Sequence, residues 1–254
     1  MGMSIENIIL VFITGIVCGI INTLAGSGSL ISLPILMFIG LPPHVANGTN
    51  RIGIFIQNIV STINFARQKV LDFRMGIKVA VPSILGSVAG AFVVLELNER
   101  AVEITVGVVL IIMLIPLWMK PSRWLMGARP EEINSYPFLQ FIIFFFIGAY
   151  GGFIQAGVGI FLLSALVLNA GYDLVRANAL KVFINLIFTP FALAVFIIKG
   201  QIDISAGLVL AAGNGIGAYF ASKYAVSWGS AFVRYILIAV IILAGTKLLF
   251  FPDL

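Results

Sequence analysis

Two glycine-rich stretches interrupt long apolar runs and bring together residue types that can hold an anion. The first stretch reads Asn22-Thr23-Leu24-Ala25-Gly26-Ser27-Gly28-Ser29. The second reads Gln155-Ala156-Gly157-Val158-Gly159. Glycine lets a ligand approach the backbone, and the helix start after each break offers unpaired N–H groups and partial positive charge. We therefore predict one small anion site where the two breaks meet. Tight helix packing is the alternative explanation for the glycines.

Polar and cationic side chains follow each break. Ser27 or Ser29 is expected to cap the helix that starts again near Leu30. A cation inside a membrane span costs about 2.5–3.5 kcal/mol, so Arg51 and Lys181 are expected to face a cavity or a partner. A guanidinium can hold two oxygens of one oxyanion. The predicted substrate-binding residues are Asn22, Ala25, Gly26, Ser27, Gly28, Ser29, Asn47, Asn50, Arg51, Gln155, Gly157, Gly159, Asn178 and Lys181. Further candidates for the lining of a pathway are Gln57, Asn58 and Asn185.

The composition excludes most soluble functions. Of the 254 residues, 61% are hydrophobic and 10% are charged, and the mean hydropathy is +1.13. Soluble domains carry roughly 25% charged residues, which they need to cover their surface. Soluble enzymes, nucleic-acid binders and disordered proteins are therefore excluded, and a polytopic membrane protein in a lipid bilayer is predicted. The net charge of +5 lies in short loops, where membrane orientation explains it better than binding of nucleic acid.

The apolar runs predict an all-α membrane protein with about eight transmembrane helices. The runs lie near 7–24, 29–41, 46–66, 79–95, 104–119, 137–153, 158–171, 177–198, 204–226 and 231–251. The runs 29–41 and 158–171 are too short to cross comfortably. They are predicted as half-helices or re-entrant segments beside a cavity, because irregular backbone at membrane depth needs protein or water around it. The first run is expected to be a retained helix rather than a cleaved signal peptide.

A shift of 131 positions superposes the two halves of the sequence without a gap. It aligns Gly26 with Gly157, Gly40 with Gly171, Asn47 with Asn178 and Asp72 with Asp203. We interpret this as a gene duplication that gives two pseudo-symmetric four-helix repeats, each with a broken segment. The repeats are predicted at 1–120 and 137–254, with a cytoplasmic linker at 121–136. The sequence leaves open whether they are parallel or inverted.

The charged residues indicate both an orientation and a substrate charge. The loop around 67–78 carries four Lys and Arg residues against one acid, so it is expected on the cytoplasmic side. None of the ten Asp and Glu residues lies in the middle of a predicted span. Carriers of protons and cations usually place such residues in the bilayer, so a small anion is favoured.

Catalytic and metal-binding motifs are missing from the sequence. The single cysteine, Cys18, and the single histidine, His44, exclude a disulfide framework and a cysteine or histidine metal cluster. No constellation of nucleophile, base and acid occurs in one place. We therefore predict a protein that is not an enzyme and that needs no cofactor and no metal.

The motifs together resemble the sulfite exporter TauE/SafE family over essentially the whole chain. The resemblance rests on four segments: 19–34, 46–51, 151–159 and 176–181. It implies export of sulfite or of a C2 organosulfonate across a bacterial cytoplasmic membrane. The second break has Val158 and Ile160 where the first has serines, so hydroxyl contacts are expected mainly from Ser27 and Ser29.

The leading hypothesis is a secondary transporter that binds a small sulfur oxyanion between the repeats and moves it by alternating access. An anion-selective channel is the alternative, and a membrane enzyme or a non-transporting scaffold is disfavoured. The sequence leaves open the anion carried, the direction and coupling of transport, and whether the chain works alone or as a homodimer.

Overall fold

The fold is described by a computed structural model that covers residues 3–98, 101 and 137–250. Within these residues the protein is helical and contains no strand. The predicted span 104–119 and the predicted linker 121–136 lie outside the described residues. The helices are α1 (Ile5–Leu24), α2 (Ser29–Phe38), α3 (Pro43–Arg67), α4 (Phe73–Glu96), α5 (Pro137–Phe153), α6 (Val158–Ser164), α7 (Leu174–Ile198) and α8 (Ile204–Phe250).

The helix starts follow from local sequence. Asp72 and Asp173 precede α4 and α7, and their carboxylates accept hydrogen bonds from backbone N–H groups of the first turn. Ser4 does the same for α1. These side chains satisfy N–H groups that have no partner inside the helix. Pro43 occupies the first position of α3, where its missing N–H costs nothing.

The short runs are confirmed as short helices. The run 29–41 contains the ten-residue α2, and the run 158–171 contains the seven-residue α6 followed by a π-helical turn, Ala165–Asn169. In the part of the chain that the structure describes, four segments are long and apolar enough to cross a membrane: α1, α4, α7 and the part Ile204–Ser227 of α8.

One boundary is corrected by the structure. The runs 204–226 and 231–251 were predicted as separate spans, but a single helix of 47 residues, α8, continues from one into the other. The stretch between the two runs contains neither a proline nor a charged residue, so nothing in it ends the helix.

Close backbone contacts define the directions of the helices. A Cβ atom added at Gly15 would meet Leu210, and one added at Gly19 would meet Ala218, so α1 and α8 run in the same direction. Likewise, Gly86 faces Phe145 and Gly90 faces Ala149 (the next turn of each helix), so α4 and α5 are parallel. These small residues let the helix backbones approach each other, as is common in membrane proteins.

The helices form two bundles that exchange their last members. We call α1, α2, α3 and α8 the first bundle, because α8 packs on α1 and α3. We call α4, α5, α6 and α7 the second bundle, because α4 packs on α5 and α7. The bundles meet chiefly through α3 and α7. Each bundle therefore combines three helices from one part of the chain with one helix from the other part.

The helix directions also define two faces of the molecule. Thr49, near the start of α3, accepts a hydrogen bond from the backbone N–H of Asp203 at the start of α8 (2.8 Å). Tyr172, just before α7, donates to Asp72, just before α4 (2.6 Å). The helices α3 and α7 therefore run in opposite directions.

The two faces differ in charge. The face on which α3 ends and α4 and α7 begin, which we call the basic face, carries Arg67, Lys69, Arg74, Lys78, Arg176 and Lys223. The opposite face, on which α3 and α8 begin, carries Lys199 as its one Lys or Arg among the described residues. Lys223 belongs to the basic face because it lies about 28 Å along α8 from its start.

The contact between Tyr172 and Asp72 connects the two loops of the basic face. The pKa of Asp72 is lowered, first by the backbone N–H of Met75 and then by the Tyr172 hydroxyl, because both donate to the carboxylate. A carboxylate whose pKa is lower in the folded state stabilises the fold above its unfolded pKa. That contribution is lost as the pH falls through the folded pKa.

Replacing Tyr172 by Phe is expected to raise the pKa of Asp72, because one donor to the carboxylate is removed. NMR titration of the Asp72 carboxyl carbon, with a selectively labelled protein in detergent, measures this shift. Tyr219→Phe serves as the control, since the Tyr219 hydroxyl is not among the donors to Asp72. An unchanged pKa of Asp72 in the Tyr172→Phe variant would contradict the assignment of the donor.

Candidate functional site

The two glycine-rich breaks are in direct backbone contact. The N–H of Gly159 donates to the carbonyl of Gly26 (3.2 Å). A Cβ atom added at Gly26 would lie 2.4 Å from the Cα of Gly159. Gly26 (φ 79°) and Gly157 (φ 71°) both have left-handed backbone conformations, which glycine adopts without a steric penalty. The sequence places glycine at this junction because no side chain fits between the segments.

A small cavity lies beside this junction. Its wall combines residues of both bundles: Asn22, Gly26, Ser29, Ile54, Gln57, Gln155, Val158 and Asn185. The polar part of the wall consists of amides and one hydroxyl, without an ionisable side chain. Asn185 is buried, and its Oδ1 atom has no hydrogen-bond partner within the described residues. The wall therefore offers neutral dipoles that can reorient toward a bound molecule.

Asn22 organises the first break. Its Oδ1 atom accepts a hydrogen bond from the backbone N–H of Gly28 (2.6 Å), and its Nδ2 atom donates to Gln57 (3.2 Å). The cap of α2 is Gly28, and no side chain caps this helix. The expectation that Ser27 or Ser29 caps it is therefore wrong, because Gly28 holds the cap position and its own N–H donates to Asn22.

The two serines of the first break have different surroundings. Asn50 donates to the Ser29 hydroxyl (3.1 Å) and accepts from Ser32 (2.7 Å), so α3 holds the first turn of α2. The Ser27 hydroxyl is buried and has no hydrogen-bond partner within the described residues. Ala25 is also fully buried. The preceding helix and α3 thus fix the backbone of the break from both sides.

Gln155 organises the second break. Its backbone has a left-handed conformation (φ 62°), which is unusual for a residue other than glycine. Its Nε2 atom donates to the Thr189 hydroxyl (2.8 Å), and its Oε1 atom accepts from Arg51 (3.3 Å). These two hydrogen bonds hold the amide against the cavity.

Arg51 binds the carboxyl-terminal end of α5. Its guanidinium donates to the carbonyls of Gly151 (3.0 Å) and Gly152 (2.6 Å), and it lies over the ring of Phe196, 4.6 Å from its centre. The last carbonyls of a helix have no partner inside the helix and carry partial negative charge. Arg51 belongs to the first bundle and α5 to the second, so this contact joins the two bundles.

Lys181 binds the end of α1 in the same way. Its ammonium donates to the carbonyls of Asn22 (2.8 Å) and Thr23 (2.9 Å) and to the side chain of Asn178 (2.5 Å). Here the cation comes from the second bundle and the helix end from the first. Arg51 and Lys181 are both fully buried. No Asp or Glu among the described residues is buried with them.

An asparagine accompanies each cation. Asn47 accepts a hydrogen bond from Arg51 (3.3 Å) and donates to the carbonyl of Phe153 (2.8 Å). Asn178 occupies the corresponding place beside Lys181. The two asparagines lie 131 positions apart in the sequence. Asn47 extends the contact of Arg51 with the end of α5, whereas the Nδ2 atom of Asn178 has no hydrogen-bond partner within the described residues.

The structure gathers the predicted residues into one region but gives them different positions. Asn22, Gly26, Ser29 and Gln155 line the cavity. Arg51 and Lys181 lie behind this wall, each in contact with one of its residues. The N–H groups of Gly28 and Gly159, which were expected to hold the anion, donate to protein oxygens instead.

Several residues of the site were weakly signalled or missed by the sequence. Gln57 and Asn185 were noted only as pathway candidates, and both line the cavity. Ile54 and Thr189 were missed, because neither residue type stands out in an apolar helix. The spacing of Ile54 from Arg51 and Gln57 is the one available signal, since residues three apart share a helix face. Within the described residues, no group of His, Cys, Asp and Glu could hold a metal ion.

Comparison with known proteins identifies the family. The model of the family described as sulfite exporter TauE/SafE matches residues 11–248. The chain belongs to this family. It is thus a multi-pass protein of a family of membrane transporters, as the sequence resemblance predicted, and transport rather than enzymatic catalysis is the activity this family implies.

Relatives with similar lengths are known in bacteria. A protein of Sinorhizobium sp. named "Probable membrane transporter protein ORF9" is 26% identical over 242 residues, which cover 95% of this chain and 92% of that protein. A "Probable membrane transporter protein" of Haemophilus influenzae is 25% identical, covering 98% and 97%. The protein YfcA of Escherichia coli, also named a probable membrane transporter protein, is 27% identical, covering 94% and 88%. No solved structure matches the chain.

Substituting Gly26 by Ala is expected to destabilise the protein more than substituting Gly200. Both residues have a left-handed backbone (φ 79° and 67°), but a Cβ atom at Gly200 would meet nothing within 4 Å. The pair therefore separates the backbone penalty from the overlap with Gly159, which should add about 1–3 kcal/mol. Thermal unfolding in detergent measures the difference. Equal stability of the two variants would show that the breaks are not in contact.

Proposed function

We propose that the protein is a secondary transporter that exports a small sulfur oxyanion, such as sulfite or a C2 organosulfonate, across the bacterial cytoplasmic membrane. The observation that carries the proposal is the cavity at the junction of the two breaks. The polar part of its wall consists of amides and one hydroxyl, and two buried cations lie directly behind it. The family supports the substrate class, because its description names sulfite export.

The charges around the cavity favour an anion. Arg51 and Lys181 contribute two positive charges, and no Asp or Glu among the described residues is buried near them. The helix ends that they contact carry only partial negative charge. An anion in the cavity therefore experiences a positive potential without a direct ion pair. A contact through amides leaves such an anion free to depart, which a transporter requires.

The amide wall also suits the shape of the ligand. Asn22, Gln57 and Asn185 approach the cavity from three different helices, and Gln155 approaches it from the second break. An amide nitrogen carries two donors that can point to different oxygens of one oxyanion. Ile54 and Val158 form the apolar part of the wall, against which a short carbon chain can pack.

We infer that the chain is an inverted repeat. The bounds of α3 (43–67) and α7 (174–198) differ by 131 at both ends, and α4 and α8 start 131 apart. The left-handed residues Gly26, Gly40 and Lys69 recur after 131 positions as Gly157, Gly171 and Gly200. Because α3 and α7 run in opposite directions, the repeats are related by an axis in the membrane plane. This is the arrangement of many transporters with a site at the midplane.

The distribution of charge sets the orientation. Cytoplasmic loops are enriched in Lys and Arg, so the basic face lies in the cytoplasm. The start of α1 then lies outside, because α1 is parallel to α8, which begins on the opposite face. The inside-negative membrane potential favours the exit of an anion by about 2.3 kcal/mol per charge per 100 mV. Export along this gradient needs no buried carboxylate for proton coupling.

The contact between the breaks supports a carrier rather than a channel. The backbones of Gly26 and Gly159 touch at the cavity, so a continuous pore would require the two segments to separate. In the carrier mechanism, the two bundles tilt against each other around the cavity and expose it to one side at a time.

Binding is tested with purified protein in detergent. Sulfite, sulfate, thiosulfate, taurine, isethionate and sulfoacetate are added one at a time, and thermal unfolding is followed. A ligand that binds the folded state raises its apparent stability. We expect stabilisation by sulfite or by one of the sulfonates. Taurine, which is zwitterionic, tests whether charge alone selects the ligand. No stabilisation by any sulfur oxyanion would refute the proposed substrate class.

A variant in the cavity tests the site. Asn185→Asp places a carboxylate against the bound anion and is expected to weaken binding at least tenfold, which corresponds to about 1.4 kcal/mol. Gln201→Glu adds the same charge in the loop before α8 and serves as the matched control. Affinities for the ligand found in the thermal screen, measured by calorimetry, decide the result. A similar loss in both variants would mean that the anion binds elsewhere.

Transport is tested in proteoliposomes loaded with the anion. A carrier gives saturable efflux that is stimulated by the same anion on the other side, whereas a channel gives ohmic currents. Saturable counterflow supports the carrier, and conductance without counterflow would favour the channel.

A further inference from the structure

Two groups of hydrogen bonds join the bundles on opposite sides of the cavity. We call the bonds of Arg51 to the end of α5 the Arg51 tie, and the bonds of Lys181 to the end of α1 the Lys181 tie. Arg51 precedes the cavity residue Ile54 by three positions, or about 4.5 Å, along α3. Lys181 precedes Asn185 by four positions, or about 6 Å, along α7. Because α3 and α7 run in opposite directions, Arg51 lies toward the opposite face and Lys181 toward the basic face. The cavity lies between them.

The polar contacts between the bundles are concentrated at these two places. On the side of the opposite face, Arg51 and Asn47 hold the end of α5. On the side of the basic face, Lys181 holds the end of α1. The hydrogen bond between Gly26 and Gly159 lies between the two ties. Most other buried side-chain hydrogen bonds, such as those of Asn22 with Gln57 and of Gln155 with Thr189, remain within one bundle.

We propose that Arg51 and Lys181 are the two gate residues of the transporter and that they open in turn. The Arg51 tie closes the cavity toward the outside, and the Lys181 tie closes it toward the cytoplasm. The inference rests on the proposed function, since it assigns the two sides of an alternating-access cycle. Both ties are formed in this structure.

The hydrogen bonds of the two ties can break and re-form because of the groups that accept them. Each cation is held by carbonyl oxygens at a helix end, which bear partial rather than full charge. Breaking such a tie separates no ion pair, yet the freed cation turns toward the cavity with its full charge. An anion that enters from that side can replace the carbonyls as its partner. The substrate thereby favours the open state that it needs in order to enter or leave.

The side from which the cavity can be reached provides the test. A single reporter cysteine is introduced as Val158→Cys in the cavity wall, in a background with Cys18→Ser. The serine retains a donor to the Gly28 carbonyl, which Cys18 contacts. The rate of reaction with a membrane-impermeant methanethiosulfonate reagent is measured in right-side-out and in inside-out vesicles, without any substrate.

Arg51→Met is expected to raise the labelling rate from the outside about tenfold or more, with little change from the cytoplasmic side. Lys181→Met should do the reverse. A hydrogen bond to a charged group is strong enough for shifts of this size. Lys199→Met and Lys223→Met remove exposed cations from the opposite and the basic face, and they should leave both rates unchanged. Equal changes from both sides, or no change in either variant, would overturn the proposal.

A conservative variant of Arg51 keeps the test decisive if the methionine variant does not fold. Arg51→Lys retains the charge but cannot reach two carbonyls with a planar fork, so an intermediate increase from the outside is expected. An equal increase from both sides in this variant would also overturn the assignment. Sulfite counterflow of the unmodified protein is measured in parallel. If the unmodified protein shows no sulfite counterflow but the variants still change labelling from one side each, the proposed substrate is refuted and the assignment of the two gate residues is not.

Discussion

Two buried cations on the ends of two broken helices are the interaction on which the rest of this structure depends. A helix that stops inside the protein leaves its last carbonyls without partners, and in a membrane no water can satisfy them. Arg51 donates hydrogen bonds to the last carbonyls of α5, and Lys181 donates to those of α1. In the same contact the carbonyl oxygens stabilise a cation that would otherwise lie unpaired in an apolar interior. Neither group would be stable there alone, so the breaks and the cations depend on each other.

This mutual dependence determines the character of the cavity. Arg51 and Lys181 bind helix ends, and the wall itself is neutral: its polar part consists of amides and one hydroxyl. In the proposed function the positive charge acts on a bound anion from behind the wall as long as both ties are formed.

The exchange of α4 and α8 between the bundles has a mechanical consequence. Each bundle is packed through glycine contacts along parallel helices, and such close backbone packing resists sliding. The interface between the bundles contains the cavity, the Gly26–Gly159 contact and the two polar ties. In the proposed transport cycle the motion takes place at this interface. The moving bodies of that proposal would each combine helices from both halves of the chain.

The sequence by itself determined the class of protein and the places of the helix breaks, because both follow from local composition: apolar length, glycine and charge. It also predicted a repeat and one site that includes Asn22, Gln155, Arg51 and Lys181, and both stay predictions. Only the tertiary structure decided what these residues do. Gly28 took the cap position expected of a serine, the amides of Gly28 and Gly159 donate to oxygens of the protein, and both cations bind helix ends. These hydrogen bonds depend on which backbone groups lack partners once segments that are distant in the sequence come into contact. The order of residues in the sequence does not show which segments those are.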